Sequence, residues 1–231
     1  LKKPAPKRKH ALTTRLWHWL NAVCLVVLFM SGLGISNAHP RLYWGAWGFE
    51  RSEAWLHLIR FPNWITIPGY YSLAEARLWH LLFAWPFAFG LLLFMLASLV
   101  NRHFVRDLVT RLSEWRWPAI REDIVKHLRL DFEHHGTKFN FLQKLSYGVV
   151  IFILLPLMIF TGLAMSPGMD ANWPWLLDIF FGRQSARSIH FLCAWTLVGF
   201  LLLHVVLVLL SGPIGQIRDM ITGGRVKEDR P

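Results

Sequence analysis

Cysteine is close to absent from this chain. Only Cys24 and Cys193 occur among 231 residues, each inside an apolar run. They form no CxxC pattern, which argues against a disulfide scaffold, a cysteine zinc site and covalent c-type haem attachment. Charge is scarce too. Asp, Glu, Lys and Arg make up 17% of the residues, where a soluble domain carries about 25%. Acidic residues are the rarer sign, 14 against 25 basic ones.

Apolar residues fill the gap. They make up 54% of the chain, and the mean hydropathy is +0.36. That composition argues against both a soluble enzyme and a disordered chain, because so much apolar surface must be hidden in lipid. Four stretches contain no Asp, Glu, Lys or Arg: Leu16–Ile35, Leu78–Asn101, Leu145–Met169 and Ser188–Ile217, of 20, 24, 25 and 30 residues. A spanning helix needs about 20 apolar residues. The expected fold is an all-α integral membrane four-helix bundle in one domain, 1–231, with spans at about 12–35, 78–101, 141–166 and 187–211. Gly212 and Pro213 should end the last apolar core. The first run is too long for a signal peptide, and no clear small-residue cleavage site follows it.

The net charge of +11 raises the question of nucleic acid. Its distribution answers otherwise. The segment through Arg15 holds six Lys and Arg, the connection from Arg102 to Lys144 nine, and the tail from Arg218 four. The connections 36–77 and 170–187 share the other six. The 19-rich side is the cytoplasmic one, with both termini inside. The charge is thus a topology signal with some attraction to anionic lipid, and no nucleic-acid partner is expected.

The connections read as ordered. Residues 102–135 mix charged positions with Phe104, Val105, Leu108, Val109, Leu112 and Trp115, a pattern for short amphipathic helices on the cytoplasmic face. Residues 36–75 carry Trp44, Trp47, Trp55 and Trp64 among Gly and Pro, which suggests a partly helical interfacial cap on the outer face.

Four of the eleven histidines lie in or at the mouths of spans: His18, His80, His190 and His204. An ionisable residue inside a span is a functional candidate by default. His190 and His204 are 14 residues apart, so they share a helix face about 21 Å apart along the axis. His18 opens the first span at the inner side, and His80 opens the second at the outer side. Depth pairs His18 with His204 and His80 with His190. Zinc favours three or four clustered ligands, and a proton relay favours acidic residues that these spans lack. Two imidazoles per level suit the axial positions of two b-type haems, with the fourth span giving one ligand to each.

A repeated motif supports this. Arg15-Leu16-Trp17-His18 and Arg77-Leu78-Trp79-His80 are the same tetrapeptide, and Arg187 precedes His190 by the same three residues. An Arg there lies on the face of the His, one turn nearer the surface, where it can meet haem propionates. Snorkelling at a helix end is the competing reading, and it suffices for Arg15. His10, His127, His134 and His135 read as exposed, and His39 and His57 as loop residues without a ligand role. Asn101, Arg102 and His103 at the inner end of the second span have two open readings: a quinone pocket or a helix cap.

The chain resembles the bacterial cytochrome b561 and Ni-hydrogenase cytochrome b superfamily. The resemblance rests on Arg15-Leu-Trp-His18-Trp-Leu-Asn21-Ala22, a His opening the second span, and two His 14 apart on the fourth. Gln143-Lys144-Leu145-Ser146-Tyr147, Pro156-Leu157-Met158 and Thr161-Gly162-Leu163-Ala164-Met165-Ser166-Pro167 resemble its thiosulfate reductase cytochrome b branch.

The resemblance implies two haems b ligated by His18, His80, His190 and His204, and electron exchange with quinone in the bacterial inner membrane. It also implies a catalytic partner of the molybdopterin, formate dehydrogenase or hydrogenase class, or a periplasmic electron carrier. Bis-imidazole ligation leaves iron no open position, which suits electron transfer rather than oxygen binding. The alternatives are a stand-alone superoxide:quinone oxidoreductase and a haem-free transporter or assembly protein.

The charge asymmetry makes its own prediction. A reporter active only in the periplasm, fused to the C-terminus, should give no signal in cells. A strong signal there would reverse the orientation.

Overall fold

The computed structural model describes residues 10–100, 104, 110, 112–128 and 140–224. Among the described residues the protein is all-α apart from one two-residue strand pair. Among the described residues, four helical segments are long and apolar enough to cross a membrane: Leu12–Ala38 (α1), Leu73–Val100 (α2), Phe141–Met165 and Arg183–Leu210 (α8). The third runs as α4 (Phe141–Val149), a π-helical segment (Val150–Leu154) and α5 (Leu155–Met165), and the short α6 (Pro167–Asn172) and α7 (Trp175–Ile179) lead on to α8. In lipid a backbone must satisfy its own hydrogen bonds, so an apolar run of this length has only the helix open to it as a single segment.

Most of the apolar side chains face outward. Only 11–22% of each span's most apolar window is buried within the protein. The leucines Leu82, Leu93 and Leu202 stay exposed, as lipid-facing positions should. What is buried is often small and polar: Ser31, Thr161 and Ser188 are fully enclosed. Small residues let helices approach closely where no water drives them together.

The chain separates into two compact units. One comprises 1–20, 90–148 and 200–231, and the other 21–89 and 149–199. In the first, Trp17 of α1 stacks on Phe94 of α2 with ring centres 4.0 Å apart. The α2 backbone comes close here because Gly90 carries no side chain. A Cβ there would meet Leu20 at 2.7 Å. The start of α4 is held from outside: Asp123 of α3 (Trp117–Leu128) accepts the Leu142 N–H at 2.8 Å, and the buried Lys144 pairs with Glu114 at 2.7 Å. A carboxylate at a helix N-terminus is favourably placed against the dipole.

Helix α8 ends at Leu210, Gly212 takes a left-handed φ of +90°, and α9 (Pro213–Thr222) follows. The long helix thus ends just before Gly212 and Pro213, and the rest of that charge-free stretch enters a separate helix.

In the second unit, the connection after α1 is folded onto the start of α8. Strands β1 (Arg41–Leu42) and β2 (Leu56–His57) pair antiparallel, with Arg41 opposite His57. The Gly45 carbonyl accepts the Gln184 and Ser185 N–H groups, and Gly45 N–H donates to Ser185 Oγ at 2.7 Å. Ser188 Oγ donates to the Tyr43 carbonyl at 2.6 Å, and Trp55 Nε1 donates to Ser188 Oγ at 3.0 Å. The first turn of α8 thereby finds acceptors for donors that a helix leaves open.

The expected partly helical cap is thus a strand pair with two 3-10 turns, Arg51–Glu53 and Asn63–Ile65. Its Gly and Pro residues break helical periodicity. The amphipathic helix among the described residues of the 102–135 connection is Trp117–Leu128, later than all six apolar residues that suggested it. Of those, Val105, Leu108 and Val109 lie outside the described residues. Helix α2 starts earlier than the charge-free run, because Ser72 Oγ accepts the Glu75 N–H, an N-cap that admits a charged first turn.

Gly182 sets up a stability prediction. Its φ is +105°, and a Cβ there would lie 2.5 Å from Ala46 Cα. Gly182→Ala should cost about 1–3 kcal/mol through backbone strain and displacement of the loop. Gly199→Ala, mid-helix with open space beside it, should be neutral or stabilising by up to about 1 kcal/mol. Thermal unfolding followed by circular dichroism in detergent checks both. Equal midpoints would contradict the close approach.

Candidate functional site

The four intramembrane histidines meet in two pairs. Within the first unit, His18 of α1 faces His204 of α8, with ring centres 6.3 Å apart and planes at 62°. Within the second, His80 of α2 faces His190 of α8, at 6.2 Å and 58°. The pairing expected from depth is the pairing found. Among the described residues, no three His, Cys, Asp or Glu side chains converge on a point. The donor set at each level is two imidazoles.

The separation is chemically specific. A metal–nitrogen bond of about 2 Å, with about 1.1 Å more to the ring centre, puts two imidazoles on one ion about 6 Å apart. Direct hydrogen bonding would bring them closer. Each pair would therefore suit a metal held between two imidazoles, such as the iron of a haem.

Hydroxyl groups orient the second pair. Ser31 Oγ of α1 lies 3.0 Å from His80 Nδ1 and donates its single proton to the Val27 carbonyl at 2.7 Å. Thr161 Oγ1 of α5 lies 2.8 Å from His190 Nδ1 and donates to the Leu157 carbonyl at 2.6 Å. A hydroxyl has one proton. With that proton on a backbone carbonyl, each oxygen accepts from its imidazole. Both rings then carry hydrogen on Nδ1 and leave the Nε2 lone pair for a metal, the arrangement that supports a ligating histidine. Glycine follows each hydroxyl residue. A Cβ on Gly32 would lie 3.6 Å from His80 Cε1, and one on Gly162 would lie 3.6 Å from His190 Cε1. The glycines keep the flank of each ring clear.

The first pair is set differently. His18 Nδ1 is buried without a hydrogen-bond partner, as is Trp17 Nε1. The His18 ring stands edge-on to Trp19 with centres 5.1 Å apart, and Phe200 stacks beside His204 at 6.3 Å and 13°. Aromatic contact, rather than a hydroxyl, positions these rings.

The arginines of the repeated spacing have three different environments. Arg15 donates to the carbonyls of Met220 and Ile221 and so holds the C-terminal end of α9. Arg187 donates to the Arg41 carbonyl, and its Nε is buried without a partner, a free donor one turn from His190. Arg77 is exposed. Arg77 and Arg187 both act on His39, whose pKa is lowered by burial first and by these two cations next.

Asn101, Arg102 and His103 lie outside the described residues, as do His134 and His135. His57 is exposed on β2. Cys24 and Cys193 are buried free thiols, and Cys193 Sγ donates to the Leu154 carbonyl in the π segment.

Sequence reasoning missed Ser31 and Thr161 as orienting groups. The signal was present: Ser31-Gly32-Leu33 and Thr161-Gly162-Leu163 place a hydroxyl residue, then glycine, in apolar spans.

Membrane-length helices that bring imidazoles together in pairs, with no larger metal-ligand cluster among the described residues, suit a redox centre. The chain belongs to the prokaryotic cytochrome b561 family, whose model matches residues 9–223. It is therefore a multi-pass membrane electron-transfer cytochrome carrying haem b. It is 26% identical over 202 residues to YedZ1 of Azospira oryzae, named as a protein-methionine-sulfoxide reductase subunit, spanning 87% of this chain and 90% of that one. It is 26% identical over 241 residues to a Ni/Fe-hydrogenase B-type cytochrome subunit of Azotobacter vinelandii, spanning 94% and 88%. A protein of the same name from Cupriavidus necator is 25% identical, spanning 93% and 85%. These names do not include thiosulfate reductase, and that branch stays a resemblance of motifs. No solved structure matches the chain.

The glycine flanks give a direct check. Gly162→Leu should crowd the His190 ring and lower the haem content of the purified protein by about half, while Gly162→Ala should leave it unchanged. Full haem content in the leucine variant, measured by pyridine haemochrome, would show that the flank is not needed.

Proposed function

We propose that this protein is a two-haem membrane conduit that passes electrons between an oxidoreductase partner at the periplasmic face and the quinone pool of a bacterial inner membrane. The observation that carries this reading is the pair of imidazole pairs. Their ring centres lie 6.3 and 6.2 Å apart, and α8 contributes one ring to each.

His18 and His204 hold one iron in this reading, and His80 and His190 the other. A haem b held by such a pair would supply one-electron ferric–ferrous chemistry. The chain's own groups supply the rest. Ser31 and Thr161 fix the tautomer and rotation of His80 and His190. The apolar spans exclude water. Arg187, with its unpartnered Nε, is placed to meet a propionate, and Arg77 lies toward the same end of the helices. Arg15 is engaged with the end of α9 and offers its remaining donors.

The Lys and Arg asymmetry supports cytoplasmic termini, and with them the His80–His190 level on the outer side. The relatives named as subunits of a hydrogenase and of a methionine-sulfoxide reductase support a catalytic partner for this chain as well. Asn101, Arg102 and His103, at the inner end of the second span, are the proposed quinone contacts. A histidine there can hydrogen-bond a quinone carbonyl and pass it a proton.

Two measurements test the reading. Pyridine haemochrome assay of the purified, folded chain should give about two haems b per polypeptide, one per axial pair. A count near one, or a folded haem-free preparation, would overturn it. His103→Ala should slow quinone turnover several-fold with both haems retained. Unchanged turnover would assign His103 to the helix cap.

A further inference from the structure

The two imidazole pairs differ in how their rings are hydrogen-bonded. At His80 and His190, each Nδ1–H is received by a hydroxyl oxygen whose own proton is already committed to a backbone carbonyl. Ser31 and Thr161 are both fully buried, so no water competes for these bonds. At His18 the corresponding Nδ1 has no partner at all.

An imidazole that gives its distal N–H to an acceptor gains electron density and becomes the more basic ligand. A more basic axial ligand stabilises ferric over ferrous iron and lowers the reduction potential. We propose that Ser31 and Thr161 set the order of potentials, making the haem held by His80 and His190 the lower-potential one of the two. The proposal rests on the two-haem reading above.

The other charge difference is smaller in consequence. An arginine stands three residues before a ligand at both levels, Arg15 at one and Arg77 and Arg187 at the other. Arg77 is exposed, where its field is screened, and Arg187 is partly satisfied by the Arg41 carbonyl. The hydroxyl bonds act on the ligand rings themselves, and they are the feature present at one level and missing at His18.

The order gives the wire a direction. Transfer of one electron from the His80–His190 level to the His18–His204 level is downhill: one iron is oxidised by one electron as the other is reduced by one. A partner docked at the outer side would donate, and quinone at the inner side would accept.

Ser31 and Thr161 are positioning residues, since they act through the ligands. Their test is a redox titration of the full chain in detergent, followed by visible and low-temperature EPR spectra. Thr161→Val keeps the shape and removes the acceptor. It should raise the lower-potential component by about tenfold in its reduction equilibrium, about 59 mV for one electron, and leave the higher one in place. Ser31→Ala should do the same through His80, and it serves as the independent variant if Thr161→Val loses haem. Thr161→Ser and Ser31→Thr should restore the native potential, which a purely structural defect would not do.

A second arm fixes the assignment. In a folded His204→Ala variant, the component that keeps its low-spin spectrum should be the lower-potential one. If the hydroxyl variants shift only the higher component, shift both equally, or shift neither, the proposal is overturned while the haem count stands. A count of one haem would instead overturn the two-haem reading beneath it.

Discussion

An imidazole carries a donor and an acceptor, and hydrocarbon offers it no water. Each ring nitrogen in a membrane span must therefore meet a protein group or a bound metal, or pay a desolvation penalty of several kcal/mol. The arrangement around His80 and His190 follows from that requirement. Ser31 and Thr161 pass their protons back to carbonyls one turn earlier on their own helices and turn their lone pairs toward the imidazoles. Each ring's Nδ1 is then satisfied, and its Nε2 is left as the open lone pair. The glycine after each hydroxyl residue clears the ring's flank. A chain so poor in charge has few other ways to hold an imidazole in one tautomer.

The rest of the second unit supports α8, which carries a histidine of each pair. The loop after α1 accepts the first N–H groups of α8 through Gly45 and receives Ser188 at Tyr43. Gly182 permits the close approach. Arg183 ties the same end to Asp170 at 2.7 Å and to the Met165 carbonyl at 2.6 Å. These bonds fix the start of the helix less than two turns before His190. The connecting segments thus add rigidity where a ligand needs it.

The spans and the four ligand candidates were readable in the sequence because both rest on simple periodicities. A run without charge has one fate in lipid, and residues 14 apart on a helix share a face. The depth pairing followed from where each His stands in its span. The strand pair at Arg41–Leu42 and Leu56–His57 was not readable, since two-residue strands leave no alternation to detect. The repeated Arg-Leu-Trp-His motif suggested equivalent surroundings that the structure does not provide. Trp17 stacks on Phe94, while Trp79 is exposed and contacts Phe83 on its own helix. Arg15 reaches α9, a tertiary contact 205 residues away that no local pattern carries. Ser31 and Thr161 stayed hidden because a hydroxyl in a span ordinarily bonds its own backbone, and only the fold brings a second helix's imidazole against it.

The central claim is that each haem is shared between two helices in one particular pairing. Spectra of folded His18→Ala and His204→Ala variants test it most directly. Both should perturb the same component, by haem loss or a switch to high-spin iron, while the other component stays low-spin. His80→Ala and His190→Ala should both perturb that other component. If well-folded His18 and His204 variants perturb different components, the pairing is wrong.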